Sequence, residues 1–306
     1  MPELAVILVN YKRPLDTIEC VRSLEQSTYR NFATYVVDNG SGDGSPAALR
    51  SSCPGIVLLE SPINLGFAGA NNMAMERAQK EGADFFLLLN NDTVVDPSCL
   101  QELMDAAKRH PSAGVLGGKV LEYDRRNVIW FAGGRINVSS GRSRHIGIGE
   151  RDDGRYDAER IVDFITGCCL LIRRSLYLRV GGLDTEYFAY YEDSDYCLRA
   201  RRVFQDVIYA PKARVFHKVS STSSLDGPVY LYFTLRNRLI FLRKHARWFQ
   251  VIPYFPSLAY FYGRHMFRLL VRRRGTAVIR AAYYGFVDGL RGFTGDHGKG
   301  RLELLL

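Results

Sequence analysis

Short apolar runs alternate with longer stretches in which apolar residues recur every three or four positions, and this alternation continues through the first two thirds of the chain. Residues 4–9, 33–38, 56–59 and 85–89 are apolar-rich runs, the pattern of strands buried on both faces. Residues 14–26, 68–81 and 97–109 carry the helical period, the last opened by Pro97 at its first turn. A Gly-, Ser- and Pro-rich turn region precedes residue 56. Strands and helices in this rhythm predict an α/β fold with a mainly parallel sheet and helices on its faces. In such sheets a ligand lies beyond the carboxyl ends of the strands. Three of those ends are polar: Asn10-Tyr11-Lys12-Arg13, Asp38-Asn39-Gly40-Ser41 and Asn90-Asn91-Asp92. Residues 133–157, rich in Gly, Arg and Ser, read as a loop with one hairpin, and order returns at 162–172.

With 306 residues and 47% hydrophobic content the chain can bury a substantial core, which excludes global disorder and a fibrous protein. The net charge of +9 is unevenly placed. Residues 229–306 hold 14 Lys+Arg against 3 Asp+Glu, leaving residues 1–228 slightly acidic. We therefore expect a near-neutral body over 1–228 and a basic, aromatic-rich, mainly helical region over 229–306. Six cysteines without C-x-x-C spacing sit mostly in apolar segments, as small buried hydrophobes in a reducing compartment do. The start Met1-Pro2-Glu3 lacks the basic region of a signal peptide. No uncharged run reaches the roughly 18–20 residues of a membrane-spanning helix, and the longest, 248–263, carries Pro253 and Pro256, so the expected location is cytoplasmic.

Four constellations could carry chemistry. Asn90-Asn91-Asp92 follows the all-apolar 85–89; a carboxylate flanked by amides suits a divalent cation and the diphosphate it carries, and equally a strand-end turn. Glu192-Asp193-Ser194-Asp195 precedes Arg199, Arg201 and Arg202, a distribution that suits a helix dipole. Within it Glu192 and Asp195 share a helix face while Asp193 points elsewhere. Burial in a cleft would raise a carboxyl pKa towards working pH and make a general base; a helix N-terminus would lower it, and the pattern leaves the outcome open. His217 ends an apolar run and is a metal ligand or a structural histidine. Asn64-Leu65-Gly66-Phe67-Ala68-Gly69-Ala70-Asn71-Asn72 opens a helix with glycines, which lets backbone approach a bound group without being a G-x-G-x-x-G fingerprint.

Together, "VILVNYKRP", "VVDNGSGDGS", "NLGFAGANN", "LLLNNDTVVDP", "GCCLLIRRS", "GGLDTEYFAYYEDSDYCLRARR", "VFHKVSST" and "YFTLRNRLIFLRKH" resemble, in order, the family 2 inverting glycosyltransferases of the GT-A fold. Within them the resemblance is to the rhamnosyltransferase-type enzymes of bacterial cell-surface polysaccharide assembly, and it covers roughly residues 4–245. It implies that Asn10, Tyr11 and Arg13 line the nucleotide pocket and that Asp38 hydrogen-bonds the base. Asn64, Gly66 and Asn72 would border the nucleotide sugar. Asp92 would hold Mg²⁺ or Mn²⁺ on the diphosphate, framed by Asn90 and Asn91, with His217 at the metal. Asp193 would be the base that deprotonates the acceptor, Glu192 its alternate, and Arg236 and Asn237 would close over the site. The implied donor is a dTDP- or UDP-sugar, dTDP-rhamnose first, and the acceptor a saccharide or a polyprenyl-diphosphate-linked sugar. A base without a protein nucleophile implies inversion. Two departures bear on this. The metal motif has one acid where the family often has two, and Lys244 stands where the processive synthases' Q-x-x-R-W motif has Gln, which favours single addition.

The region 235–291 interleaves Arg236, Arg238, Arg243, Lys244, Arg247, Arg264, Arg268 and Arg272-Arg273-Arg274 with Trp248, Phe249, Tyr254, Phe255, Tyr260, Phe261, Tyr262 and Phe267. That composition suits an anionic membrane surface at the inner face of the cell membrane, and no RNA-binding motif accompanies it. The rival reading is an inactive adaptor, for a membrane or for nucleic acid, built on the same body.

Overall fold

The computed structural model describes residues 2–203, 206–218, 227–247, 249, 252, 262–263 and 276–296. Strand β1 (Leu4–Asn10) is buried along nearly its whole length, as its uninterrupted apolar run requires. It pairs in parallel with β2 (Phe32–Asn39) and β4 (Phe85–Leu89), and β2 pairs in parallel with β3 (Val57–Ser61). The crossovers are α1 (Pro14–Glu25), α2 (Ser45–Ser52) and α3 (Gly66–Lys80). Each lies where the pattern predicts it except α2, which forms in the expected turn region. There Pro46 occupies the first turn of a helix that buries Ser45 and Leu49, a placement that costs no hydrogen bond.

Next come β5 (Thr93–Val95), α4 (Cys99–Arg109), β6 (Val115–Glu122), β7 (Ile129–Phe131), β8 (Gly134–Asn137) and β9 (Arg142–His145). They are followed by β10 (Arg160–Ile161), β11 (Cys169–Arg173), α5 (Arg174–Val180), α6 (Glu192–Arg201) and β12 (Val207–His217). The main sheet runs β10-β12-β6-β11-β4-β1-β2-β3, with β5 added to β12 and β7 to β6. Along that path six strands point one way, while β11 and β10 are antiparallel to their neighbours. This is the α/β, mainly parallel arrangement expected. β8 and β9 pair as a separate two-stranded sheet, the hairpin anticipated in 133–157. All six cysteines are buried thiols.

The chain divides into two compact units. The first comprises Met1–Arg135, Arg144–Leu183 and Asp193–Val219 and holds the main sheet. The second comprises Ile136–Ser143, Asp184–Glu192 and Ser220–Leu306. It is built on α7 (Pro228–His245) and α8 (Thr276–Arg291). Its apolar clusters join Leu231, Leu235, Leu242, Tyr262 and Ala282, and Phe188, Tyr232, Phe233 and Ala281. Of the basic aromatic region, Arg264, Arg268, Arg272-Arg273-Arg274, Trp248, Tyr254, Phe255, Tyr260, Phe261 and Phe267 lie outside the described residues. No helix of the described residues is long and apolar enough to cross a membrane.

Candidate functional site

Strand register assembles the first part of the site. In the parallel β1–β2 pair Asn10 stands opposite Asp38, both buried at the carboxyl ends. The Asn10 amide donates to Asp38 Oδ1 at 2.7 Å. Ser41 donates its hydroxyl to the same oxygen at 2.7 Å and its backbone N–H to Oδ2 at 3.2 Å. Thr17 donates to Asn10 Oδ1 at 2.9 Å and accepts from the Asn91 amide at 2.9 Å. A continuous polar chain thus runs Asp38–Asn10–Thr17–Asn91. The sequence places Ser41 in a polar strand end without a role and does not mark Thr17 at all; nothing in a lone hydroxyl within a helix or turn points to such a link. Tyr11 is exposed, and Arg13 pairs with Asp16 at 3.1 Å. Between them Lys12 has φ 57° and donates its N–H to Ser41 Oγ at 2.9 Å.

At the end of β2, Asn39 also emerges as a member. Its amide donates to Asn64 Oδ1 at 2.9 Å, and its oxygen accepts from Leu65 N–H at 2.8 Å. Asn64 accepts in turn from Gly66 N–H at 2.8 Å, and Gly66 enters α3 with φ 71°, where a side chain would be strained. Asn72 is placed differently. Its amide exchanges two 2.8 Å bonds with the N–H and carbonyl of Leu183, so its polar atoms hold that backbone segment.

The second part comes from the antiparallel β5–β12 pair, which sets Thr93 opposite His217 and brings the preceding Asp92 to the same place. Asp92 Oδ1 lies 3.2 Å from His217 Nε2, both side chains almost fully buried. Backbone bonds frame the loop: Lys218 N–H to the Asp92 carbonyl at 3.0 Å and Asn90 N–H to Cys168 O at 3.1 Å. The His217 ring meets Trp130 edge-on at 4.7 Å, and Trp130 meets His145 likewise. Burial pushes the His145 pKa down to about 4, so that ring is neutral at working pH. Lys218 points to Asp16 at 2.8 Å and Glu19 at 2.6 Å.

These residues fit the divalent cation that the resemblance implies. A carboxylate oxygen and an imidazole nitrogen converge, and the buried His217 Nδ1 has no hydrogen-bond partner among the described residues. One oxygen and one nitrogen donor suit Mn²⁺ better than the oxygen-preferring Mg²⁺, with phosphate oxygens and water as further ligands. Among the described residues no group of three or more His, Cys, Asp or Glu side chains could hold a metal ion, so the substrate would have to complete the shell.

Asp193 lies half-buried in the first turn of α6. Its Oδ2 accepts the Gly167 N–H at 3.0 Å, and its Oδ1 accepts the Ser194 N–H at 2.6 Å and the Ser194 hydroxyl at 3.2 Å. Burial raises its pKa, and these donors only partly oppose the rise. Desolvation therefore wins the competition that the sequence left open. Asp195 is committed to Arg199 at 2.8 Å, whose guanidinium also holds the carbonyls of Val180 and Gly182 at 2.8 Å. Glu192 is buried.

Within the second unit, Arg236 and Asn237 are fully buried in α7. Asn237 donates to the carbonyls of Tyr187 (2.9 Å), Ala189 (2.7 Å) and Tyr190 (2.7 Å). Arg236 donates to Tyr187 O at 2.9 Å and Glu186 O at 3.2 Å. The resemblance implies that they close over the donor; in the structure their polar atoms hold a backbone segment of their own unit.

Residues 5–181 match the model of glycosyl transferase family 2. The chain is 29% identical over 267 residues to the N-acetylglucosaminyl-diphospho-decaprenol L-rhamnosyltransferase of Mycobacterium tuberculosis H37Rv, covering 81% of this chain and 86% of that one. It is 24% identical over 304 residues to the low-salt glycan biosynthesis hexosyltransferase Agl10 of Haloferax volcanii, covering 96% and 93%. Among solved structures, S. aureus TarS 1-349 superimposes with a TM-score of 0.57 at 16% identity, over 100% of this chain and 83% of that one. The mannosyltransferase PcManGT of Pyrobaculum calidifontis, in complex with GDP-Man and Mn²⁺, gives 0.56 at 16% identity, over 99% and 78%.

Proposed function

The chain belongs to glycosyl transferase family 2, and on that premise we propose that it moves rhamnose from dTDP-rhamnose to a sugar on a polyprenyl diphosphate, with inversion. The observation that carries the reading is Asp193: a carboxylate with a raised pKa, fixed through both oxygens by backbone N–H groups. Such a group accepts a proton near neutral pH from a positioned hydroxyl. The acceptor oxygen, as it loses its proton to Asp193, attacks the anomeric carbon while the bond to the diphosphate breaks on the opposite face. Glu192 is the alternate base.

On the leaving side, Asp92 and His217 would hold Mg²⁺ or Mn²⁺, which neutralises charge developing on the diphosphate. Asn90 and Asn91 frame that end, and Asn91 reaches Asn10 through Thr17. Asp38, oriented by Asn10 and Ser41, keeps acceptor capacity for a donor on the base, with Tyr11 and Arg13 at the pocket rim. Asn64 and Gly66 border the sugar, and Asn72 acts on it through the Leu183 backbone it holds. The likeness to the mycobacterial N-acetylglucosaminyl-diphospho-decaprenol L-rhamnosyltransferase supports the rhamnosyl group and the lipid-linked N-acetylglucosamine acceptor.

Such an acceptor would keep the enzyme at the inner face of the cell membrane. On α8, Arg280, Tyr283, Leu290 and Arg291 are exposed, and their spacing puts cations and apolar groups on one side of the helix. Flotation with phosphatidylglycerol vesicles tests this, with neutral vesicles as the comparison.

The deciding experiment is nucleoside diphosphate release from dTDP-, UDP- and GDP-sugars, with polyprenyl-diphosphate N-acetylglucosamine as acceptor, in Mn²⁺, Mg²⁺ or EDTA. Turnover of dTDP-rhamnose, abolished by EDTA and by Asp193→Asn, is the expected result. Turnover of a different donor overturns the sugar assignment. No turnover with any donor, while vesicle binding persists, favours the inactive adaptor.

A further inference from the structure

Three consecutive residues of α7, Arg236, Asn237 and Arg238, are buried although all are polar. Together they grip two loops of their unit. Asn237 and Arg236 hold the carbonyls of 186, 187, 189 and 190, while Arg238 donates twice to Ser140 O, at 3.0 and 2.8 Å. The loops are also tied to each other, since the Tyr191 hydroxyl donates to Gly141 O at 2.8 Å. Aromatic contacts reinforce the grip. Phe188 stacks on Phe233 at 5.1 Å, Tyr190 meets Tyr230 edge-on at 5.1 Å, and Tyr191 meets Phe241 at 5.5 Å.

The backbone that is held is unusual. Phe188, Tyr190 and Tyr191 have φ of 65°, 68° and 78°, the left-handed region that bulky side chains avoid. Three such residues within four positions persist only where surrounding contacts over-determine them. A loop needing no fixed shape would carry glycines there. The next residues in the chain are Glu192 and Asp193, the first turn of α6.

We propose that Arg236, Asn237 and Arg238 are positioning residues, which hold the 184–191 loop in one conformation, left-handed at Phe188, Tyr190 and Tyr191, and so fix the backbone that leads into Glu192 and Asp193 at the start of α6. They touch no reacting atom. The inference rests on Asp193 as base, and its consequence is a division of effects. Acceptor-dependent turnover depends on the clamp, and nucleotide affinity, which belongs to the ends of β1 and β2, does not.

The test uses Asn237→Ala and the milder Arg238→Lys, which keeps a cation and a donor, in the full chain. Transfer is followed with the dTDP-rhamnose and lipid-linked N-acetylglucosamine pair above, and affinity by calorimetric titration of dTDP. Transfer kcat is expected to fall at least tenfold in Asn237→Ala and less in Arg238→Lys, while dTDP affinity stays within twofold. Parallel loss of affinity and turnover, or turnover within threefold of the unmutated protein in both variants, overturns the proposal. If Asn237→Ala does not fold, Arg238→Lys decides by the same split, read as any loss of turnover beyond threefold at unchanged dTDP affinity. Asp193→Asn is measured alongside. Full activity there refutes the base assignment, whereas an inactive Asp193→Asn beside two active clamp variants refutes the clamp alone.

Discussion

Replacing Asp193 by Asn separates the proton-accepting role from the packing of the same side chain. In the native protein Oδ2 takes the Gly167 N–H and Oδ1 takes the Ser194 N–H. An amide offers one oxygen and one NH₂, so either orientation sets a donor against a backbone N–H. A buried donor left without its acceptor costs about 1–3 kcal/mol. Removing a partly desolvated charge acts in the opposite direction, so the variant folds. Its activity should fall far more, because a general base is worth roughly 10²–10⁴ in rate, about 2.7–5.4 kcal/mol of barrier. The raised pKa adds a signature in pH. Transfer requires ionised Asp193, so the native rate climbs with pH through that pKa and then levels, and the residual rate of the variant lacks the limb. Stability runs the other way. With the folded pKa above the unfolded one, the carboxyl's contribution is full below an unfolded value of about 3.9 and is lost as pH rises through the folded pKa. Steady-state transfer over the pH range in which the protein stays folded, paired with urea unfolding carried down through about pH 3.9, checks both. A kcat loss under tenfold, or an acidic limb that survives in the variant, would refute the reasoning.

Asp38→Ala removes the acceptor of three buried donors and should cost about 3 kcal/mol in urea unfolding, with dTDP affinity at least tenfold weaker by titration. EDTA should abolish transfer and Mn²⁺ restore it, and His217→Ala should need more Mn²⁺ for half-maximal rate, read from a metal titration of turnover. Gly182→Ala would place a Cβ 2.3 Å from Asn72 Oδ1 and break the bonds to Leu183. A loss of about 1–3 kcal/mol in thermal or urea unfolding is expected, and an unchanged midpoint would show that this contact is slack.

Strands β1 to β4 of the first unit were legible because their runs are apolar-rich, 85–89 wholly so, and the polar residue after such a run then marks a strand end, whereas the pattern predicts none of β5, β6, β7, β10 and β12, which are short or interrupted by charged residues. That logic located Asn10, Asp38 and Asp92. It did not pair Asp92 with His217, which the family resemblance alone put together, because the pairing depends on the register of β5 against β12, two strands more than a hundred residues apart. What Arg236 and Asn237 hold was illegible for a different reason. In α7 the polar residues 236–238 are buried along with the apolar ones, so no hydrophobic face tells inward from outward. The two bonds of Asn72 to the Leu183 backbone, more than a hundred residues away, leave no local trace in the sequence.

The insertion of β11 between β4 and β6 has a consequence for synthesis on the ribosome. β4, with the sequence Phe-Phe-Leu-Leu-Leu, finds one neighbour in β1, already made, and the other in Cys169–Arg173, about 80 residues further on. At about 5–20 residues per second the nascent chain carries an unpaired, wholly apolar sheet edge for about 4–16 s. Such an edge is a template for pairing with other chains. Soluble yield is therefore set by what shields Phe85–Leu89 during those seconds, and slower elongation lengthens the hazard.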